Sequence, residues 1–486
     1  MIIHFVTSET LPFSKTGGLA DVCCGLGKAL AHLGQEIIII SPMYKGIYSP
    51  SFEHVATLPV TMSWRHRNAD IYKTVYNGAT YLFVSELYYF NRDTLYGYDD
   101  DLERFAFFQL AYIEIVRRLN MRADIVHVHD WESSMVPLLL KKNGFSCKTI
   151  LTIHNPAFQG NSDPSSLLNY FNLDLSNYYD GTCRFHDYFS CLKTGIMTAD
   201  KVTTVSSNHA KELLADLVSY NEIGYIINLR KDDFIGIVNG VDVDEYSPAI
   251  DGYISKNYNF KNMRTGKRIC KEKLEERFNL PPIKGPSLGI VSRLTEQKGL
   301  DLIINQFEAM CQRRVQIIIL GSGDHMYEDA LKNDMRLYVL GSGDYHYQNM
   351  IRNWSKFYPN NIIYYEGYST ELSHLIYAGT DFFLLPSKFE PCGIGQLIAK
   401  AYGSVPIVSS AGGLYDTVIP FDGNNLDKAE GFRFEYSHPE QFVEIFDLVN
   451  KMYMDKSYEV LAKNSMKADS SWNAIAPKYL KLYQSI

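Results

Sequence analysis

Short runs of β-branched and aromatic residues alternate along the chain with stretches whose apolar positions recur every three to four residues. The runs predict strands over Ile2–Thr7, Glu36–Ser41, Ile125–His129, Thr149–Ile153, Lys201–Val205 and Phe234–Val238. A second series covers Ser287–Ser292, Val315–Leu320, Ile362–Tyr365, Phe382–Pro386 and Pro406–Ser409. Helical periodicity lies between many of them, for example over Leu102–Leu119 and Glu371–Ala378. Such alternation predicts an α/β protein with parallel sheets buried on both faces. The pattern runs twice, and a polar stretch from Asn239 to about Lys284, with Pro248, Pro281 and Pro282, separates the two series. Two doubly wound domains joined near Asn239–Pro248 are expected, 1–240 and 241–465. Their strand ends would face a cleft, because open α/β sheets bind ligands beyond the carboxyl ends of their strands.

One local repeat stands out. IIILGSGDHMYEDAL (Ile317–Leu331) is echoed 20 residues later by LYVLGSGDYHYQNMI (Leu337–Ile351). Two copies do not make a solenoid. They read as a tandem duplication of one strand–turn–helix start, and the pattern does not say which copy pairs into the sheet.

Composition narrows the function classes. With 486 residues, 46% hydrophobic and 21% charged, the chain can bury large cores and is not mainly disordered. Its net charge of −8 argues against a nucleic-acid binder. Eight cysteines without paired spacing suit a reducing, cytoplasmic setting and give neither a disulfide framework nor a metal motif. Met1–Val6 lacks the basic lead of a signal peptide, and no apolar run is long enough for a membrane span.

Six motifs carry candidate chemistry, each at the end of an expected strand. SKTGGLADV (Ser14–Val22) places Lys15, Gly17 and Gly18 before a helical stretch, where N–H groups and a mobile cation suit an anion; a plain glycine turn with a solvated lysine is the alternative. Neither GxGxxG nor GxxxxGK[ST] follows a strand here, which weakens dehydrogenase and P-loop readings. HVHDW (His127–Trp131) offers Asp130 to sugar hydroxyls and Trp131 to a pyranose face, or a buried histidine and a capping aspartate. TIHNPAFQG (Thr152–Gly160) sets His154 parallel to His129 at a second strand end. SRLTEQKG (Ser292–Gly299) spaces Arg293 and Lys298 so that both can reach one diphosphate; a solvated basic turn is the alternative. PSKFEPCGIGQL (Pro386–Leu397) brings Glu390 to a helix start, with a packing role for Cys392 because no histidine is near in sequence. SSAGGLYDTV (Ser409–Val418) presents a further glycine pair, Gly412 and Gly413. Together they suit an activated sugar nucleotide, whose diphosphate leaving group gathers negative charge.

The ordered set SETLPFSKTGGLADV, YGYDDDLERFAFF, VHVHDW, TIHNPAFQG, ADKVTTVS, GIVNGVDVDEYSP, SRLTEQKGLDLI, PSKFEPCG, AGGLYDTV and SSWNAIAPKYLKLY resembles the bacterial glycogen synthase and plant starch synthase family over nearly the whole chain. The resemblance implies two Rossmann-like domains of the glycosyltransferase B type, with a terminal helix, within 466–486, that crosses back to the first domain. It implies retaining transfer of glucose from ADP-glucose to an α-1,4-glucan or maltooligosaccharide. It implies no cofactor and no metal, and a cytoplasmic location, or a plastid one after loss of a transit peptide. By position, Arg293 and Lys298 fall on the donor diphosphate, Lys15 on the donor phosphate or adjoining sugar, Gly17 and Gly18 line the diphosphate, and Glu390 falls at the donor glucose, with Cys392 and Gly393 beside it. His154 matches a histidine facing the reacting glucose. Asp21, Asp130 and Asn239 match positions near sugar and acceptor, and Tyr368 matches a tyrosine against the adenine. The chain departs from the pattern at Lys388, Ile394–Gly395, Glu132, Leu217–Lys231 and the duplicated GSGD. A UDP-glucose user, a sugar-nucleotide epimerase and a catalytically weak glucan-binding regulatory homologue are the alternative readings.

Overall fold

The first strand, β1 (Ile2–Val6), is apolar except for His4 and is buried from Ile3 onward, as a central parallel strand must be. The strands that follow are β2 (Glu36–Pro42), β3 (Glu53–Met62), β4 (Arg65–Tyr76), β5 (Ala79–Ser85), β6 (Ile125–His129), β7 (Lys148–Ile153), β8 (Asn161–Ser162), β9 (Arg184–Phe185), β10 (Tyr188–Ser190), β11 (Lys201–Thr204) and β12 (Phe234–Gly236). Nine of them form one sheet in the order β12-β11-β7-β6-β1-β2-β5-β4-β3, and β8, β10 and β9 make a small separate sheet. The computed structural model describes residues 1–215, 222–303, 305–306, 336–357, 359–360 and 362–486.

The large sheet is parallel from β12 through β5, and then β4 and β3 add on antiparallel. The sequence pattern does not predict β3–β5. Along β3 burial alternates, with Leu58, Val60 and Met62 inward, and Pro59 breaks the β-branched run. β3 is the sheet's edge, where a half-exposed strand and a proline are both tolerated.

The second unit contains β13 (Ser287–Val291), β14 (Arg336–Gly341), β15 (Ile362–Glu366), β16 (Phe382–Leu385), β17 (Val405–Ser409) and β18 (Phe432–Phe434). They form an all-parallel sheet in the order β15-β14-β13-β16-β17-β18. Counted over the described strands of this unit, that is the 3-2-1-4-5-6 order of a doubly wound dinucleotide-type sheet. The second GSGD copy supplies the strand: Leu337 pairs with both Leu288 and Ile362. The first copy, with the expected strand Val315–Leu320, lies outside the described residues, as do residues 216–221 of the Leu217–Lys231 segment.

The chain divides into Met1–Gly240 with Trp472–Ile486, and Val241–Ser471. The expected boundary at 465/466 is too early. The helix Tyr458–Lys467 buries Leu461, Ala462 and Ser465 in the second unit, and Ser465 Oγ donates to the Glu430 carbonyl there, which holds 466–471 with that unit. The final helix, Trp472–Gln484, packs on the helix Gly18–His32. Trp472 fills a notch that exists because Gly25 and Gly240 lack side chains: a Cβ at Gly25 would lie 2.1 Å from the indole nitrogen. Tyr483 Oη lies 2.8 Å from His127 Nδ1 in the core of the first unit.

Candidate functional site

In a doubly wound sheet the switch point lies between the two neighbouring strands whose crossovers run to opposite sides, and ligands collect beyond their carboxyl ends. In the first unit those strands are β1 and β6. After β1 the chain folds over Thr7–Gly17 and enters the helix Gly18–His32, which no side chain caps. Glu9 shapes this loop. Its buried carboxylate accepts from Thr16 N–H at 2.5 Å, Gly17 N–H at 3.2 Å, Thr16 Oγ1 at 2.6 Å and Tyr96 Oη at 2.8 Å. Gly17 therefore gives its N–H to Glu9 instead of holding it out for an anion, a correction to the sequence reading. A side chain at Gly17 would meet nothing within 4 Å, so the loop leaves open space there. Lys15 Nζ donates to Asp21 Oδ1 at 2.8 Å. Burial lifts the Asp21 carboxyl above the usual range, and the Lys15 ammonium pulls it back.

Beyond β6, Asp130 turns with a φ of 56° and a ψ of −173°, outside the left-handed helical basin and in a strained region that favours glycine. Its Oδ1 accepts from the backbone N–H groups of His154 at 2.7 Å and Asn155 at 3.3 Å, tying the end of β6 to the loop after β7. Burial pushes its carboxyl up to about 7, against those two hydrogen bonds. His129 Nδ1 lies 3.0 Å from His154 Nε2. Burial pushes His127 and His154 down to about 3 and His129 well below its ordinary value, so all three rings are neutral at pH 7. Glu132, also buried, is raised well above the carboxylate range by burial and then by Asp130, and its Oε2 has no hydrogen-bond partner among the described residues. Trp131, expected to present a face to a pyranose, instead packs edge-on against Phe105 with centroids 5.4 Å apart. Asn239 is buried at the end of the first unit.

In the second unit the switch-point strands are β13 and β16. After β13 come exposed Arg293 and the short 3₁₀ turn Glu296–Lys298, which Gly299 ends at a φ of 72°. A Cβ on Gly299 would lie 1.8 Å from the Pro386 carbonyl, so only glycine lets this loop lie against the one after β16. The two loops are strapped by Lys388 N–H to the Gln297 carbonyl at 2.9 Å and by the exposed pair Lys388–Glu296 at 2.7 Å. Across them Lys298 Nζ donates to Glu390 Oε2 at 2.5 Å, and Ser387 Oγ donates to the same oxygen at 2.9 Å. This ion pair is largely buried, with side-chain exposures of 14% and 7%. Arg293 makes no ion pair among the described residues.

Gly412 and Gly413 lie against the EPCG backbone. Gly413 N–H donates to the Glu390 carbonyl at 3.0 Å, and Cβ atoms on the two glycines would sit 2.1 Å from that carbonyl and 2.3 Å from the Cys392 carbonyl. Gly393, at a φ of 74°, and Cys392 have their carbonyls held by Gln396 Nε2 at 2.9 and 3.1 Å. Cys392 is buried, and its backbone forms part of the cradle. The second GSGD copy braces the loop after β13, through Leu294 N–H to the Ser342 carbonyl and Asp344 N–H to the Leu294 carbonyl, both 2.8 Å. Tyr368 stands 60% exposed in the turn after β15.

Within the first unit the structure brings His154 and Asp130 together, and Lys15 with Asp21, Gly17 and Gly18. Within the second it gathers Lys298, Glu390, Cys392, Gly393, Gly412 and Gly413, with Arg293 and Tyr368 exposed on neighbouring loops. Sequence reading missed Glu9, Tyr96, Ser387 and Gln396, and gave His129 no assigned role. Glu9 lies just before the first motif, inside the longer stretch SETLPFSKTGGLADV, so its loop-folding carboxylate was the nearest to being legible. Among the described residues no group of three or more His, Cys, Asp or Glu side chains is placed to hold a metal ion. No described helix is long and apolar enough to cross a membrane.

Residues 2–227 match the family model described as starch synthase catalytic domain, and residues 272–468 match that of glycosyl transferases group 1. The chain is 37% identical over 499 residues to a glycogen synthase of Streptococcus pneumoniae serotype 19F (strain G54), covering 100% of both. It is also 37% identical over 500 residues to a glycogen synthase of Acholeplasma laidlawii (strain PG-8A), covering 100% of this chain and 99% of the relative. Among solved structures, the catalytic domain of starch synthase IV from Arabidopsis thaliana, bound to ADP and acarbose, superposes with a TM-score of 0.86 at 27% identity, covering 100% of this chain and 98% of that one. A sucrose-phosphate synthase from Thermosynechococcus elongatus shares the fold alone, with a TM-score of 0.61 at 17% identity over 100% and 98%.

Proposed function

We propose, from the premise that this chain belongs to the glycogen and starch synthase family of glycosyltransferases, that it moves glucose from ADP-glucose to the non-reducing 4-hydroxyl of an α-1,4-glucan with retention of the α configuration. The observation that carries the donor and acceptor is the full-length likeness to a starch synthase solved with ADP and acarbose.

Retention follows from a front-face route. The bond from the anomeric carbon to the diphosphate oxygen breaks, and the bond to the acceptor oxygen forms on the same face. The departing phosphate oxygen takes the acceptor's proton. Positive charge gathers on the sugar ring and negative charge on the diphosphate. Lys298 and Arg293 stabilise the second of these, with Lys15 on the donor phosphate or the adjoining sugar. His154 serves the sugar uncharged: it is neutral at pH 7, so it adds no cation beside the developing oxocarbenium. Glu390 holds donor hydroxyls from a carboxylate fixed by Lys298 and Ser387. Asp130, Asp21 and Asn239 lie toward sugar and acceptor, and Gly17, Gly18, Gly412 and Gly413 let backbone approach the phosphates. Tyr368 offers an exposed ring to the adenine.

The test is elongation of a maltooligosaccharide with ADP-glucose and UDP-glucose in parallel, with NMR of the new linkage. Longer α-1,4 chains from ADP-glucose are expected. Elongation from UDP-glucose alone, or β linkages, would overturn donor or stereochemistry, and no polymer from either would overturn the reading as a whole.

A further inference from the structure

We infer that His129 is a positioning residue that decides which ring nitrogen of His154 carries the proton, so that His154 presents an N–H from Nδ1 to the sugar. The consequence for catalysis rests on the reading above, which sets His154 at the reacting glucose; the proton assignment does not.

The end of β6 and the loop after β7 bring the two rings together: His129 pairs with Thr152 in the parallel register, which leaves His154 just beyond it. His129 Nδ1 and His154 Nε2 are 3.0 Å apart, and the rings lie 5.3 Å apart between centroids. His129 is wholly buried, edge-on to Phe5 and beside His127. His127 is already engaged at both nitrogens, Nδ1 with Tyr483 Oη at 2.8 Å and Nε2 with Thr152 Oγ1 at 2.6 Å. His129 Nε2 is occluded and has no hydrogen-bond partner among the described residues.

One proton must sit between His129 Nδ1 and His154 Nε2, and there are two ways to place it. If His154 Nε2 donates, the neutral His129 carries its only proton on Nε2, a buried donor without an acceptor. If His129 Nδ1 donates, its Nε2 is a bare lone pair, and the proton of His154 moves to Nδ1. An orphaned buried N–H is the rarer and costlier defect, so the second arrangement is favoured. Burial keeps the rings neutral, which holds each to one proton. Asp130 fixes the main chain of His154 through its N–H while His129 fixes its ring. His154 then donates to a sugar oxygen; the other tautomer would offer only a lone pair.

Long-range ¹⁵N–¹H NMR of the full chain with ¹⁵N-labelled histidine tests the assignment, with His154→Gln identifying the resonances. A pyrrole-type Nδ1 and a pyridine-type Nε2 in His154 are expected, and the reverse pattern overturns the inference. Kinetics test the consequence. His129→Asn can keep an N–H near the Nδ1 position, and its kcat should stay within roughly threefold of the parent. His129→Leu cannot, and kcat should fall roughly 30-fold with little change in donor KM. Leu as active as the parent, or Asn falling as far as Leu, overturns the role. If either variant fails to fold, the NMR pattern of the unaltered chain still decides the inference. If the unaltered chain transfers no glucose, the functional reading fails while the tautomer stands or falls on its own spectrum.

Discussion

Each unit holds a lysine–carboxylate pair beyond its switch-point strands, and the two pairs differ in their setting. Lys15–Asp21 is the more open, with the lysine one-third exposed, and the same unit holds neutral imidazoles and carboxyls lifted by burial beyond β6 and β7. Lys298–Glu390 is nearly closed off, and its neighbours are exposed Arg293 and the backbone of the glycine pair. The same two charged groups therefore do different things. In the first unit desolvation keeps His127, His129 and His154 uncharged and disfavours the charged forms of Asp130 and Glu132, which suits a hydroxyl-rich ligand carrying transient positive charge. In the second, a lysine–glutamate pair is held against glycine backbone with an exposed arginine on the same loop, which suits a diphosphate.

The largest expected effect comes from breaking the closed pair. Glu390→Ala or Lys298→Ala should lower glucosyl transfer by about a thousandfold, measured as labelled glucose entering glycogen, while circular dichroism shows a folded chain. Near-normal rates in both would remove the second unit from the chemistry. Arg293→Ala should cost roughly 10- to 100-fold in kcat/KM for the donor with an unchanged melting temperature, since the residue is exposed and makes no ion pair among the described residues.

The neutral imidazoles give the contrast a pH signature. Unfolded histidines titrate near 6.5, whereas His127 and His154 in the folded chain are held down to about 3. Between those values the unfolded chain binds more protons, so their contribution is whole above pH 6.5 and is lost as pH falls toward 3, at about 1.4 kcal/mol per pH unit for each ring. His154→Gln should flatten that slope by one proton, read from urea titrations at pH 7 and pH 5; an unchanged slope would mean the ring is not held neutral. Gly17→Ala sharpens the comparison differently. An added methyl meets nothing and φ is an ordinary −145°, so stability should not change. A roughly tenfold rise in donor KM would then report a ligand passing close to this backbone, and no rise would take the loop out of donor binding. The smallest effect is expected at Tyr368, where Ala should raise donor KM roughly three- to tenfold and Phe should change nothing.

Much of the fold was legible because central parallel strands are buried on both faces and announce themselves as apolar runs. β3–β5 were not, because a half-exposed edge with Pro59 in it carries only a faint alternation. The motifs placed the site residues at strand ends. The pairing of Lys298 with Glu390 was not legible, since 92 residues separate them and only the adjacency of β13 and β16 joins their loops. The duplicated GSGD was ambiguous by construction, and the pairing of Leu337 with Leu288 puts the second copy in the sheet.

By itself the chain's order of residues determined which elements form, how they repeat, where glycines permit a close approach and which charged groups stand near each strand end. These depend on local periodicity and side-chain size. The tertiary structure alone decided that Glu9 spends the Gly17 N–H, that three imidazoles stay uncharged, and that one histidine tells another where to keep its proton. Desolvation and hydrogen bonding act through space, and their strength is set by neighbours that the chain brings together only when it folds.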